Sequence, residues 1–197
     1  MYIFLHKNRL FNNINIMLDW FWNVLAWLGL WRRGGTLLLL GLDNAGKSTL
    51  LGLLSNGRVG QFQPTYHPNE ELLELDGVSF RAIDLGGHKQ ARRLWAEYYV
   101  KCSGLIFLVD AADPGRFEEA YRELNAILTD EAMAEIPVLI LGNKADLPTA
   151  VSEGQLLDAM HTSMLGLRKG HLALYMCSIK EKWGFAEGIR WLASKVQ

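Results

Sequence analysis

Leucine fills positions 37–40, between Thr36 and Gly41, so this apolar run is continuous rather than alternating. A short unbroken run flanked by glycine is the pattern of a strand buried on both faces. Directly after it, Thr49-Leu50-Leu51-Gly52-Leu53-Leu54 repeats leucine at helical spacing. Two further runs, Glu70–Leu75 and Val78–Asp84, are separated by Asp76-Gly77, a dipeptide that predicts a tight hairpin of adjacent antiparallel strands. Gly104–Asp110 and Val138–Asn143 are again continuously apolar, as central parallel strands are, with a helical stretch Arg116–Leu128 between them. A last strand, Leu172–Met176, leads to a helix over Gly184–Val196. The pattern predicts an α/β fold in one domain: a mostly parallel sheet of about six strands, one antiparallel edge hairpin and helices on both faces.

The first thirty-five residues follow a different pattern. Wound as a helix, Trp20, Val24, Trp27 and Trp31 form one stripe, with Phe21, Leu25 and Leu28 beside it. Asp19, Asn23, Ala26 and Gly29 fall toward the other side. The apolar stretch from Met17 to Trp31 is too short to span a bilayer and carries Asp19 and Asn23. A secretory signal is a rival, since Lys7 and Arg9 precede the apolar region, but no small-residue cleavage site follows. A helix packing on the domain is a second rival. A tryptophan-rich helix ending in Arg32-Arg33 and lying in a membrane interface is the favoured reading. Tyr2 stands where myristoylation needs glycine, and Ser194-Lys195-Val196-Gln197 has no prenylatable cysteine, so membrane attachment is expected to rest on this helix. The expected organisation is an upstream extension over 1–16, with Met17 a plausible start, an amphipathic helix over 17–33 and a globular domain over 35–197.

Composition narrows this little. In 197 residues, half are hydrophobic and about a fifth charged, and a formal net charge of −1 gives no reason to expect a nucleic-acid partner. Cys102 and Cys177 have no metal-binding spacing and fit buried thiols in a reducing compartment. Cys177 has no base beside it in sequence and is read as a core residue rather than a nucleophile.

The chemistry sits at strand ends. Between the leucine strand and the first helix lies Gly41-Leu42-Asp43-Asn44-Ala45-Gly46-Lys47-Ser48, of the form G-x-x-x-x-G-K-[ST]. Backbone N–H groups of Asp43, Asn44, Ala45, Gly46, Lys47, Ser48 and Thr49 are expected to converge on phosphate, aided by the helix N-terminus. Lys47 would reach the β- and γ-phosphates, and the Ser48 hydroxyl would hold Mg²⁺. Asp84-Leu85-Gly86-Gly87-His88 is a D-x-x-G at a strand end, placing Asp84 near the metal through a water and the Gly87 N–H at a γ-phosphate. His88 is the candidate for orienting an attacking water, and Thr65, in the loop before the hairpin, is a third candidate metal ligand. Asn143-Lys144-Ala145-Asp146 closes the other strand. The Asp146 carboxylate can accept from both N1–H and the exocyclic amine of guanine, a pair adenine does not present. Asn143 can donate to N7, and the Lys144 stem can cover the ring. Backbone N–H groups of Ser178 or Ile179 are placed to reach the guanine O6.

These motifs in this order resemble a small GTPase on the P-loop fold. Gly41–Ser48, the stretch Asp84–Trp95 (DLGGHKQARRLW), the NKAD turn and Cys177-Ser178 are similar to the Sar-type GTPases of the Arf/Sar branch, which start COPII coat assembly. Arf proteins usually carry Gln at the place of His88 and begin with a myristoylated glycine. The resemblance covers roughly Met17–Val196; His161–His171 is shorter than the corresponding region of most Sar-type proteins. It implies GTP and GDP as ligands with Mg²⁺, slow hydrolysis unless a partner assists, and a cytoplasmic protein peripheral on the endoplasmic reticulum membrane, or the Golgi. Its implied partners are a membrane exchange factor and COPII inner-coat subunits, one of which accelerates hydrolysis with an arginine. Two rivals stand beside this reading. One is an adenine-dependent kinase or ATPase, which Asp146 opposes; the other is a GTP-binding scaffold that barely turns over.

Overall fold

The computed structural model describes residues 33–57, 68–75, 78–161 and 171–196. Thr65, the extension over 1–16, residues 17–32 of the expected amphipathic helix and most of the short segment after His161 lie outside them. The strands are β1 (Arg33–Gly41), β2 (Asn69–Leu75), β3 (Val78–Asp84), β4 (Cys102–Asp110), β5 (Val138–Asn143) and β6 (Leu172–Met176). The helices are α1 (Lys47–Asn56), α2 (Lys89–Arg92), α3 (Trp95–Tyr99), α4 (Phe117–Thr129), α5 (Glu153–Ala159) and α6 (Phe185–Lys195), with 3₁₀ turns at Pro114–Arg116 and Glu131–Met133. They build one six-stranded sheet in the order β2-β3-β1-β4-β5-β6. β1, β4, β5 and β6 pair parallel, and β2 pairs antiparallel with β3 as the edge hairpin. The expected α/β architecture is therefore the observed one.

The leucine run explains the two cores. Leu38 and Leu40 pack on one face with Phe107, Ile140, Trp95, Leu124 and Leu156, contributed by the sheet and by α3, α4 and α5. Leu37 and Leu39 pack on the other with Leu50, Leu51, Ile189 and Leu192 of α1 and α6. All four are 0–1 % exposed, which is why the run cannot alternate with polar residues.

Two boundaries differ from expectation. β1 begins at Arg33, inside the helix expected over 17–33 and ahead of a domain start at 35. Gly35 permits this: a Cβ there would lie 1.8 Å from Ser103 Oγ, so only glycine lets β1 run this close to β4, and the Thr36 N–H donates to Ser103 Oγ at 3.2 Å. Helix α5 was not foreseen. Its signal is Ser152-x-x-Gln155, which forms a full capping box ahead of buried Leu156.

Candidate functional site: a cleft at the strand ends

Four segments converge where β1, β3, β5 and β6 end. Together they line a cleft of about 470 Å³. Of the residues singled out in sequence, Asp43, Asn44, Gly46, Lys47, Ser48, Thr49, Gly87, His88, Asn143, Lys144, Asp146 and Ile179 line it, joined by Leu147 and Lys180. The size suits a small organic ligand.

The loop after β1 has the backbone its glycines allow. Gly41 (φ 133) and Gly46 (φ 104) are left-handed, as is Asn44 (φ 63). A Cβ on Gly41 would meet Leu108 O at 2.2 Å, so the loop lies directly on β4. Gly46 caps α1, and Gly46 and the first helix residues Lys47, Ser48 and Thr49 all line the cleft, so the positive end of the helix faces it. Ala45 is the exception among the expected phosphate donors. It is 1 % exposed, its N–H donates to Leu42 O at 3.3 Å, and it does not line the cleft.

Lys47 is 6 % exposed and donates to Leu42 O at 2.9 Å. Burial depresses its pKa to about 8, against the opposing pull of Asp84 and Asp43; Arg92 and Arg116 depress it further. A buried ammonium held by one carbonyl is poised to gain from an arriving phosphate.

At the foot of the cleft the Ser48 hydroxyl donates to Asp84 Oδ2 at 2.5 Å, and Asp84 is fully buried. A hydroxyl and a carboxylate at this spacing are hard oxygen donors of the kind Mg²⁺ prefers, so these residues fit the ion chemically. Gly87 presses on the phosphate loop: a Cβ on it would lie 2.3 Å from Asp43 N.

On the other wall, Lys144 (φ 64) turns the chain after β5, and its ammonium donates to Asp110 Oδ2 at 2.6 Å. Asp110, at the end of β4, was missed in sequence; an acid closing a buried strand next to such a turn was the available signal. Buried Asn143 donates through Nδ2 to Ala45 O at 2.9 Å and accepts from the Ile179 N–H at 3.1 Å.

The role expected of Ser178 is revised here. Its N–H donates to Trp183 O at 3.0 Å, its Oγ accepts from the Glu181 N–H, and the residue is fully buried outside the cleft lining. It folds the turn that presents Ile179 and Lys180, and the Ile179 N–H, the other donor expected for guanine O6, is likewise taken, by Asn143 Oδ1 at 3.1 Å. Cys177 is fully buried, and burial pushes its thiol up to about 12, so it is a core residue as read.

The ADP-ribosylation factor family model matches residues 21–196, nearly the whole chain. This protein belongs to the ADP-ribosylation factor family, a family of small GTPases. Among relatives, it is 40 % identical over 184 residues to the "Small COPII coat GTPase SAR1" of Giardia intestinalis, covering 89 % of this chain and 96 % of that protein. It is 38 % identical over 196 residues to the protein of the same name in Nicotiana tabacum, covering 92 % and 99 %. It is also 37 % identical over 162 residues to "ADP-ribosylation factor-like protein 3" of Caenorhabditis elegans, covering 82 % and 87 %. Within this Arf-family chain, no helix among the described residues is long and apolar enough to cross a membrane.

Proposed function

We propose that this protein is a Sar-type switch that binds and hydrolyses GTP and, in its GTP form, recruits the COPII coat to the endoplasmic reticulum membrane. The observation that carries the reading is the convergence in one cleft of the Gly41–Ser48 loop, Gly87-His88 and the Asn143–Asp146 turn. The relatives named for the COPII coat support the coat assignment.

In this reading the N–H groups of Gly46–Thr49 and the Lys47 ammonium bind the phosphates, and the Asp146 carboxylate selects guanine. Lys144, its ammonium tied to Asp110, lays its stem along the base. Ser48 and Asp84, with Thr65, would hold Mg²⁺, which neutralises charge on the β- and γ-phosphates. The Gly87 N–H contacts the γ-phosphate, and His88 orients the water whose oxygen attacks phosphorus as the bond to the GDP oxygen breaks. The switch segments are 59–69 and 86–98. The hairpin β2–β3 lies between them, and β2, at the sheet edge, has β3 as its one ladder partner among the described residues while packing Leu73 into the core. Its movement would release the helix over 17–31 to lipid, with Trp20, Phe21, Val24, Leu25, Trp27, Leu28 and Trp31 as the apolar face.

The deciding experiment identifies the nucleotide released on denaturing the purified protein and follows liposome flotation in GDP and GTP-analogue states. Guanine nucleotide and flotation in the GTP-analogue state alone, lost on replacing Trp20, Trp27 and Trp31 by Ala, are expected. An adenine nucleotide would overturn the base assignment. Equal flotation in both states, or flotation of the triple variant, would overturn the membrane switch.

A further inference from the structure

Gly86 and Gly87, the second of which would meet the γ-phosphate through its N–H, are held from behind by side chains of the segment that follows. The indole N–H of buried Trp95 donates to Gly86 O at 3.1 Å, and Arg92 Nε donates to Gly87 O at 2.6 Å. In a planar trans peptide the carbonyl and the next N–H point opposite ways. Fixing these carbonyls therefore aims the Gly87 and His88 N–H groups away from Trp95 and Arg92. Gly87 itself lies hard against the phosphate loop, as its would-be Cβ contact with Asp43 N at 2.3 Å shows.

Arg92 does more than hold that carbonyl. Its side chain is only 7 % exposed, and Nη1 donates to Glu119 Oε1 and to Glu123 Oε1, both at 2.9 Å. Those acids are four apart on α4 and so share a face. Nη2 also comes within 3.9 Å of Asp43 Oδ1. We propose that Arg92 is a positioning residue that couples occupancy of the γ-phosphate position beside Gly87 to the acidic face of α4. This rests on the guanine-nucleotide reading of the cleft.

A planar guanidinium offers its donors in a fixed fork. One placement of Gly87 relative to α4 satisfies the carbonyl and both carboxylates together. Displacing Gly87 would break a charge-assisted bond in a nearly dry environment, where such bonds are strongest. A ligand that fixes Gly87 therefore fixes Arg92 on α4, and by reciprocity the α4 carboxylates raise affinity for that ligand. Only the triphosphate reaches Gly87, so the effect is selective for GTP over GDP. A plain structural staple would weaken both nucleotides alike.

The test measures dissociation constants for GDP and a non-hydrolysable GTP analogue on the full chain, Arg92→Lys and the double variant Glu119→Gln/Glu123→Gln. Lysine cannot reproduce the fork. The double variant keeps Arg92, removes its counter-charges at partly exposed positions, and carries the test alone if Arg92→Lys does not fold. Both variants are expected to lose GTP-analogue affinity by roughly tenfold while GDP affinity stays within about twofold. An unchanged ratio, or equal losses for both nucleotides, in variants of a parent that binds both would overturn this inference and leave the reading of the cleft intact. A parent that binds neither nucleotide would overturn the reading, and this inference with it.

Discussion

Lys47 offers the sharpest quantitative test, because its environment makes nucleotide binding a proton-linked event. Its pKa falls from 10.5 to about 8, with burial as the largest cause. A displacement of this size corresponds to roughly 3 kcal/mol carried by the ammonium in the empty protein. The sign for folding follows from proton counts. Between pH 8 and 10.5 the unfolded chain holds the proton and the folded empty protein has lost it, so stability rises with pH across that window. Below pH 8 the lysine is charged in both states and the full penalty is present. Nucleotide binding runs the other way: the phosphates supply the opposite charge that Leu42 O only approximates, returning the pKa toward or above its ordinary value. Binding at pH 8.5 is then expected to take up about three-quarters of a proton, against about a tenth at pH 7. Affinity should be full below pH 8 and fall as pH rises above it. Calorimetric titration of GDP in two buffers of different ionisation enthalpy gives the uptake, and NMR of the Lys47 ammonium gives the pKa with and without ligand. A Lys47 that titrates above pH 10 in the empty protein, or no difference in uptake between the two pH values, would refute the reasoning.

Two further outcomes are expected. Asp146→Asn should lose guanine nucleotide by about 3–6 kcal/mol, through two charge-assisted hydrogen bonds, and gain xanthine nucleotide, whose 2-oxo group the amide matches. Competition binding with GDP and xanthosine diphosphate checks it, and undiminished GDP affinity would remove the guanine assignment. His88→Gly should leave GDP binding near normal and slow partner-stimulated hydrolysis by about 10²-fold. Single-turnover phosphate release with and without the activating partner is the assay, and unchanged stimulated turnover would leave His88 as no more than the N-cap of α2.

The sheet was legible because its central strands are buried on both faces and so read as unbroken apolar runs. The hairpin was legible because Asp76-Gly77 in the sequence separates two runs that pair from Leu75↔Val78 outward. The Gly41–Ser48 loop and the NKAD turn were legible because each is a motif of neighbours in sequence, and both line the cleft. Contacts between distant residues were not. Nothing within the segment Lys89–Arg92 announces that Arg92 reaches residues 27 and 31 positions ahead, on α4. Asp110 looks like the polar end of any buried strand until the fold brings Lys144 to it. Ser178 misled for a different, local reason: its N–H is taken by Trp183 O, five residues on, in a turn followed by left-handed Gly184, which lies against Met176 O.

Asn143 shows why the two ends of the cleft act as one unit. As a reading of sequence it is a donor to the base. In the fold its Nδ2 is bonded to Ala45 O across 98 residues of chain, and its Oδ1 takes the Ile179 N–H. The same amide thus fastens the phosphate loop to the loop that walls the base, leaving the second Nδ2 hydrogen for a ligand. Gly46 has a matching double constraint. Its φ of 104 already demands glycine, and a Cβ there would lie 2.4 Å from Asn143 Nδ2. Removing the amide would leave Ala45 O and the Ile179 N–H without their partner in a buried setting, at roughly 1–3 kcal/mol each, before any contact with the base is counted. Damage at Asn143 should therefore spread from base recognition into phosphate binding, and energies for the two halves of a nucleotide should not add. On the proposed nucleotide reading, base and phosphate would be held through one shared buried amide, so the geometry of one wall is set by the other.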